Sequence, residues 1–182
     1  MKGGEILDNH DVYGGGFYND TGAALLITGG TVSRNSSDAG GGIYNAEQSS
    51  VTLSSTGDFG GEGTNTAALY APGIYNSGEL RAENTRVITN GVYLSSRNSI
   101  VRIVGPLAAG SRIQIDGSGY VSPNDAGIPI VIAEAAPPYR QLTETDRESF
   151  LKPPSGFDGW EIRLSGDLTQ VLLAPPGPGA GE

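Results

Sequence analysis

The hexapeptide GGGIYN at Gly40–Asn45 decides how this chain is read, because near copies stand at Gly14–Asn19 (GGGFYN), Pro72–Asn76 (PGIYN) and Asn90–Leu94 (NGVYL). A chain that rewrites one short string is a candidate repeat protein, and periodicity has to be sought before local structure. From Phe17, Leu25 and Ile27 follow at offsets of 8 and 10, then Val32 at 15 and Asn35 at 18. From Ile43, Val51 and Leu53 follow at the same 8 and 10. From Ile74, Leu80, Val87 and Asn90 follow at 6, 13 and 16, each two short of the first unit, as a single two-residue deletion in the turn (DTGAA becoming SGE) requires.

Unit starts at 17, 43 and 74 give periods of 26 and 31, with the extra residues in TGDFGGEGTN and LYAPG. Fixed apolar spacing beside variable turn length is the pattern of a solenoid, whose strands must stack while its loops are free to change. Read backward, GGEILDN (Gly3–Asn9) matches GGTVSRN (Gly29–Asn35), so the sequence opens in mid-repeat. The expectation is that Met1 is a fragment boundary, with further units and an export signal upstream, the alternative being a degenerate capping unit. KGGEILDN after Met1 lacks the apolar stretch of a signal peptide.

The apolar positions alternate (Leu25 with Ile27, Val51 with Leu53), which is strand periodicity with one face buried. Glycine with Asn, Asp and Ser supplies the corners between them. Short strands of this kind cannot bury an apolar face within one unit, but can if each pairs in parallel with its copy one turn above. The predicted fold is therefore all-β: a right-handed parallel β-helix over residues 1–105, terminal coils and a β-rich cap with one short helix over 106–174, and a Pro/Gly-rich tail over 175–182. Its core would stack Phe17, Ile43 and Ile74, then Leu25, Val51 and Leu80, then Val32 and Val87. Asn19, Asn45 and Asn76 would form an amide ladder at one corner, and Asn9, Asn35 and Asn90 a second. The second unit shows no clear apolar-x-x-Asn string at the matching place.

GGGIYN, GGTVSRN and the closing NGVYLSSRNSIVRIVGPL resemble the right-handed β-helix repeats of large bacterial surface proteins of the adhesin-like and polymorphic outer-membrane types. That resemblance covers about residues 3–105. It implies an exported, surface-exposed stalk or adhesive module that meets host or cell-envelope glycans or proteins.

Composition narrows the alternatives. With 11 basic and 20 acidic residues the net charge is −9, so no basic surface exists to neutralise phosphates, and nucleic acid is not an expected partner. No apolar run is long enough to span a bilayer, and membrane insertion of this segment is not expected. The absence of cysteine removes disulfides, thiolate chemistry and Cys-based metal sites. His10 is the single histidine, at the repeat position of Ser36. No metal or cofactor is expected.

The enzymatic alternative is a fragment of a carbohydrate-cleaving β-helix enzyme, which needs converging carboxylates. Asp8, Asp11, Asp20, Asp38 and Asp58 fall at differing repeat positions, chiefly in turns, and read as solvated acids. GGEGTNTAA (Gly60–Ala68) approaches a calcium-binding nonapeptide, but Asn65 replaces its Asp and the motif occurs once. A flexible inserted loop over 57–63 is the expectation there. Tyr18, Tyr44 and Tyr75 point outward by alternation and are the candidate ligand-binding row, able to stack on sugars or meet a protein.

Beyond Asn98 the strands alternate more strongly (SIVRIVGPL, SRIQIDG, IPIVIAE). LTETDRESFLKPP carries capping-box spacing at Thr143 with Asp146 and Thr145 with Glu148, predicting a helix over 144–151. WEIRLSGDLTQVLLA predicts two strands about Ser165-Gly166-Asp167, with Trp160, Ile162 and Leu164 covering the end of the core.

Overall fold

Like residues pair with like from one repeat to the next in the computed structural model, which describes residues 1–54, 57–59, 64–83, 88–116 and 128–175, with side chains at all of these except 57–59 and 88–89. The first two units contribute β1 (Glu5–Leu7), β2 (Phe17–Asn19), β3 (Ala24–Ile27), β4 (Gly30–Ser33), β5 (Ser36–Ala39), β6 (Ile43–Asn45), β7 (Ser50–Ser54) and β8 (Gly57–Phe59). The next run gives β9 (Thr66–Tyr70), β10 (Ile74–Asn76), β11 (Glu79–Glu83), β12 (Ile88–Leu94) and β13 (Val101–Ile103). The last third adds β14 (Arg112–Asp116), β15 (Ile130–Ala135), α1 (Glu144–Glu148), β16 (Phe150–Leu151), β17 (Glu161–Leu164) and β18 (Gln170–Ala174). Among the described residues the chain is nearly all β, with α1 as the helix; most strand pairs are parallel, and no sheet closes on itself.

Repeat spacing becomes register. Phe17 pairs with Ile43, Ile43 with Ile74 and Ile74 with Val92 across the parallel strands β2, β6, β10 and β12. Leu25, Val51, Leu80, Val101 and Ala133 form the corresponding row across β3, β7, β11, β13 and β15. Ile6 pairs with Val32 across β1 and β4. These rows meet in one apolar cluster, in which Val32, Ile43, Val51, Ile74 and Leu80 are buried and Phe17 and Leu25, from the outermost strands, are partly covered. Burying each fully enclosed Ile, Leu or Val side chain contributes about 1.5–3 kcal/mol. Val87 lies outside the described residues.

The corners explain the triple glycine. Gly14 and Gly40 take left-handed φ values of 63° and 68°, and Ala71 holds the equivalent place in the third unit at 49°. A Cβ on Gly41 would stand 2.3 Å from the Thr66 carbonyl and 2.6 Å from that of Pro72. Backbone from the next repeat passes where a side chain would be, so only glycine lets successive corners approach this closely.

β12 joins two of the parallel stacks. Ile88 and Thr89 pair with β8, Val92 to Leu94 pair with β10, and the register of its partner β14 shifts between Thr89 and Val92. A small parallel pair, β5 with β9, fills the corner between the stacks, extended by bridges from His10 to Ser36 and Tyr13 to Ala39. The stretch expected to be an inserted loop is in part structural: Gly57–Phe59 is a strand paired with β4, and Thr66 begins β9. Gly60–Gly63, the rest of the calcium-like motif, lie outside the described residues.

Parallel pairing continues past residue 105, with β14 on β12, β15 on β13 and β16 on β14. β18 then pairs antiparallel with β15, and β17 with β18, about the predicted Ser165–Asp167 turn. Trp160, Ile162 and Leu164 are partly buried against the core. The helix is shorter than expected. Thr143 caps it and Asp146 completes the reciprocal capping box, but it ends at Glu148. Phe150 leaves the helix to pair opposite Ile113, because burial of its ring under the parallel sheet outweighs one more helical turn. Asp146 is fully buried and satisfied: Oδ1 accepts from Leu107 N, and Oδ2 from Tyr139 Oη, Thr143 N and Thr143 Oγ1. Among the described residues no helix is long and apolar enough to cross a membrane.

Candidate functional site

Each apolar-Tyr-Asn strand has three residues, so its centre faces opposite to its ends. Register then sets Tyr18, Tyr44, Tyr75 and Tyr93 one above another on the outer surface. Their rings stack at 5.3 Å between Tyr18 and Tyr44, 4.7 Å between Tyr44 and Tyr75, and 4.9 Å between Tyr75 and Tyr93, with interplanar angles of 11°, 3° and 17°. Such offset or parallel aromatic pairs contribute about 0.5–1.5 kcal/mol beyond area burial.

Three further tyrosines belong to this surface beyond the three singled out from the sequence. Tyr93 is the fourth rung. Tyr13 and Tyr70 each stand five residues before a rung tyrosine, where the second unit has Ala39. The small buried Ala39 stands between them in the repeat; Tyr13 leans on Tyr44 at 5.1 Å and Tyr70 on Tyr93 at 5.0 Å, both tilted. The signal was a second tyrosine at a constant offset, hidden because the middle copy is alanine.

The geometry limits what the row can do. Tyr44 is covered on both faces by its neighbours, and so is Tyr75, leaving ring edges and hydroxyls outward. Sugar stacking requires a free ring face, which the inner rungs do not offer. Around the row Tyr13, Tyr18 and Tyr70 are 50, 54 and 41% exposed, with Val12 and Leu69 next to Tyr13 and Tyr70 in the chain at 53 and 68%. Burial, with Tyr75, Tyr18, Tyr13 and Glu47 adding to it, holds the Tyr44 hydroxyl above the ordinary tyrosine range. Burial and the neighbours Tyr75, Tyr70 and Asp116 do the same for Tyr93. The Tyr44 and Tyr93 hydroxyls therefore stay protonated at ordinary pH.

Behind the tyrosines lie the two asparagine ladders. Asn19 Nδ2 donates to Asn45 Oδ1 at 2.8 Å and Asn45 Nδ2 to Asn76 Oδ1 at 2.7 Å, while Asn76 Nδ2 ends on the Ser99 carbonyl. Leu94 takes the next rung. In the second ladder Asn9 Nδ2 donates to Asn35 Oδ1 at 3.0 Å, and Asn35 Nδ2 donates to Asn65 Oδ1 at 3.2 Å. Asn65 is the rung that the second unit seemed to lack. Asn90 joins differently, donating Nδ2 to the Asn65 carbonyl at 2.6 Å, and its own Oδ1 is buried without a partner.

An open cavity of ≈ 910 Å³ adjoins Tyr75, with Glu47, Glu79 and Arg102 on its walls and serines beneath. Its arginine is engaged: Arg102 reaches Glu79 at 3.4 Å and pairs closely with Glu134. Three of the acids are engaged, Asp8 with a base and Asp11 and Asp20 locally, whereas Asp38 is exposed on β5. Arg34 lies 2.7 Å from Asp8, and its hydrogen bond holds the Asp8 carboxyl below the usual range. Asp11 and Asp20 accept from the next backbone N–H at 2.7 Å. The side chain of Asp58 lies outside the described residues. His10 Nδ1 sits 2.9 Å from Ser36 Oγ. Among the described residues no three His, Asp or Glu side chains cluster as metal ligands would. No protein-family model, curated protein or solved structure matches this chain.

Proposed function

We infer that the chain is a stretch of right-handed parallel β-helix serving, without catalysis, as a stalk or adhesive segment of an exported bacterial surface protein. Parallel pairing of every repeat with its copy supports the winding, and right-handed connection between parallel strands is the general rule. One observation carries the functional reading: the residues that recur are spent on holding repeats together. The inner tyrosine faces, the Asn19, Asn45 and Asn76 amides and the corner glycines all contact the neighbouring repeat.

The adhesive part of the reading rests on the rim. Tyr13, Tyr18 and Tyr70 expose aromatic area on one flank of an acidic molecule, the kind of surface that marks a contact with host or envelope glycans or proteins. A glycan array scored both for retention of the chain and for release of shortened sugars tests this. Saturable retention that is lost in Tyr18→Ser with Tyr70→Ser supports the adhesive role. Release of cleavage products would overturn the non-catalytic one and favour the carbohydrate-active alternative.

A further inference from the structure

Six of the chain's eight tyrosines touch one another in a single run. Tyr18, Tyr44, Tyr75 and Tyr93 are stacked nearly parallel, whereas Tyr70 leans in from the end of β9. It reaches two rungs at once, Tyr75 at 6.2 Å and Tyr93 at 5.0 Å, with its plane turned 58° and 41° from theirs. Tyr70 is also the ring of this group that stands open to solvent, at 41%.

Phenol chemistry says what such a run can do. Loss of one electron turns a phenol hydroxyl into a strong acid, so the proton leaves with the electron. A phenoxyl radical remains, with unpaired density on the ring carbons ortho to oxygen. Rings in van der Waals contact exchange an electron readily, so a radical formed on one rung is shared along Tyr44, Tyr75 and Tyr93. Asp116, the register neighbour of Tyr93 on β14, sets a carboxylate beside the last ring to receive its proton. The other readily oxidised side chains stand elsewhere: there is no cysteine, the one methionine is Met1, and the one tryptophan, Trp160, packs edge-on against Phe157 in the cap.

We propose that this run is an oxidative cross-linking site, at which Tyr70 and Tyr93 join ring to ring and tie β9 to β12. Coupling requires an ortho carbon of one ring to meet an ortho carbon of the other in a bond that lies in both ring planes. Rungs stacked face to face are held away from that approach. Tyr70 meets Tyr93 at an angle and from the solvent side, so rotation of its side chain brings the carbons together. The oxidant is hydrogen peroxide acting through a haem peroxidase. It takes one electron and one proton from each of the two phenols and leaves as two water molecules. The two radicals form one carbon–carbon bond, and each coupled carbon passes its hydrogen to its own ring's oxygen, which restores both phenols. The dityrosine joins residues 23 positions apart in a chain that has no cysteine for a disulfide. It ties the two-stranded sheet of β5 and β9 to the nine-stranded sheet that holds β12, and restricts the unfolded chain as a disulfide does.

The proposal goes beyond the stalk reading and rests on ring geometry alone. Treating the intact chain with a haem peroxidase and hydrogen peroxide is expected to give dityrosine fluorescence in a species that stays monomeric on a denaturing gel. After trypsin, fragment 35–81, which carries Tyr70, is expected to be joined to fragment 87–97, which carries Tyr93. The link is expected to vanish in Tyr70→Phe and to persist in Tyr75→Phe, both of which keep the ring. An equimolar mixture of free peptides 35–81 and 87–97, which lacks the placement that the fold supplies, is expected to give at least about tenfold less of it. The linked chain is expected to unfold at a higher urea concentration than the untreated one. No intramolecular dityrosine, a link kept in Tyr70→Phe or lost in Tyr75→Phe, or an equal yield from the free peptides would overturn the proposal.

Discussion

Tyr44 and Tyr75 lie face to face with ring centroids 4.7 Å apart and planes 3° from parallel, although 31 residues separate them in the chain. The pairing follows from register, since β6 and β10 set Ile43, Tyr44 and Asn45 against Ile74, Tyr75 and Asn76. Tyr44→Ala is expected to destabilise the chain by about 2 kcal/mol in urea unfolding, through lost ring stacking and burial. Tyr44→Phe keeps the ring and should stay within about 0.5 kcal/mol of the parent. Equal loss in both variants would mean that the hydroxyl, and not the stack, matters.

Two tyrosines of the row set an alkaline limit. Tyr44 and Tyr93 have hydroxyls raised above their ordinary value of 10.0, chiefly by burial. The folded state therefore keeps protons that the unfolded chain releases, and stability must fall as pH rises. The contribution is whole below pH 10.0 and disappears as pH climbs through the higher folded-state values. Unfolding followed by tyrosinate absorbance should show this loss, and Tyr44→Phe with Tyr93→Phe should flatten it.

The amide ladder predicts an order of sensitivity. Asn45 donates to Asn76 and the Glu79 carbonyl and accepts from Asn19 and Ser49 Oγ, with no exposure. Asn45→Ala takes a hydrogen bond from all four partners and is expected to cost about 3 kcal/mol, whereas Asn19→Ala, at the edge, is expected to cost about 1 kcal/mol. Chemical denaturation of the two variants side by side checks the ranking.

Gly41→Ala should be severe, because the new Cβ meets two backbone carbonyls at 2.3 and 2.6 Å that belong to the stacking repeat and cannot move independently. A loss of about 3 kcal/mol is expected. Gly166→Ala has nothing within 4 Å of its Cβ and should change stability by under about 0.5 kcal/mol.

Much of the stacking was legible because burial forces it into the sequence: Phe17, Ile43 and Ile74 recur as large apolar residues where the interior must be filled. Asn65 escaped because its string begins with Glu62 where an apolar residue was sought, and because a nine-residue step leads from it to Ile74 where the other units use eight. Its function in the ladder depends on the amide alone, so nothing constrained the residues before it to look like their counterparts. β5 and β9 were equally hidden. Ser36–Ala39 carries no apolar alternation, and the pair is held by backbone hydrogen bonds that leave little mark on composition. Tyr13 and Tyr70 were unread as site residues for a simpler reason, the alanine that stands between them at position 39. The helix start was legible in the Thr143–Asp146 box, but its end was decided by the distant partner Ile113 claiming Phe150.

The measurement that tests the stacked register most directly uses cysteines, which the chain lacks. Thr52 and Arg81 are register partners on β7 and β11, so their Cα atoms stand about 5 Å apart, within reach of a disulfide. Thr52 and Glu83 share that outer face but are offset by two residues, about 8 Å apart and out of reach. Oxidation of the Thr52→Cys, Arg81→Cys chain is predicted to close an intramolecular disulfide quickly, and the Thr52→Cys, Glu83→Cys chain to stay reduced. Closure of the second pair and not the first would contradict the register, and with it the stacking of like residues on which the account stands.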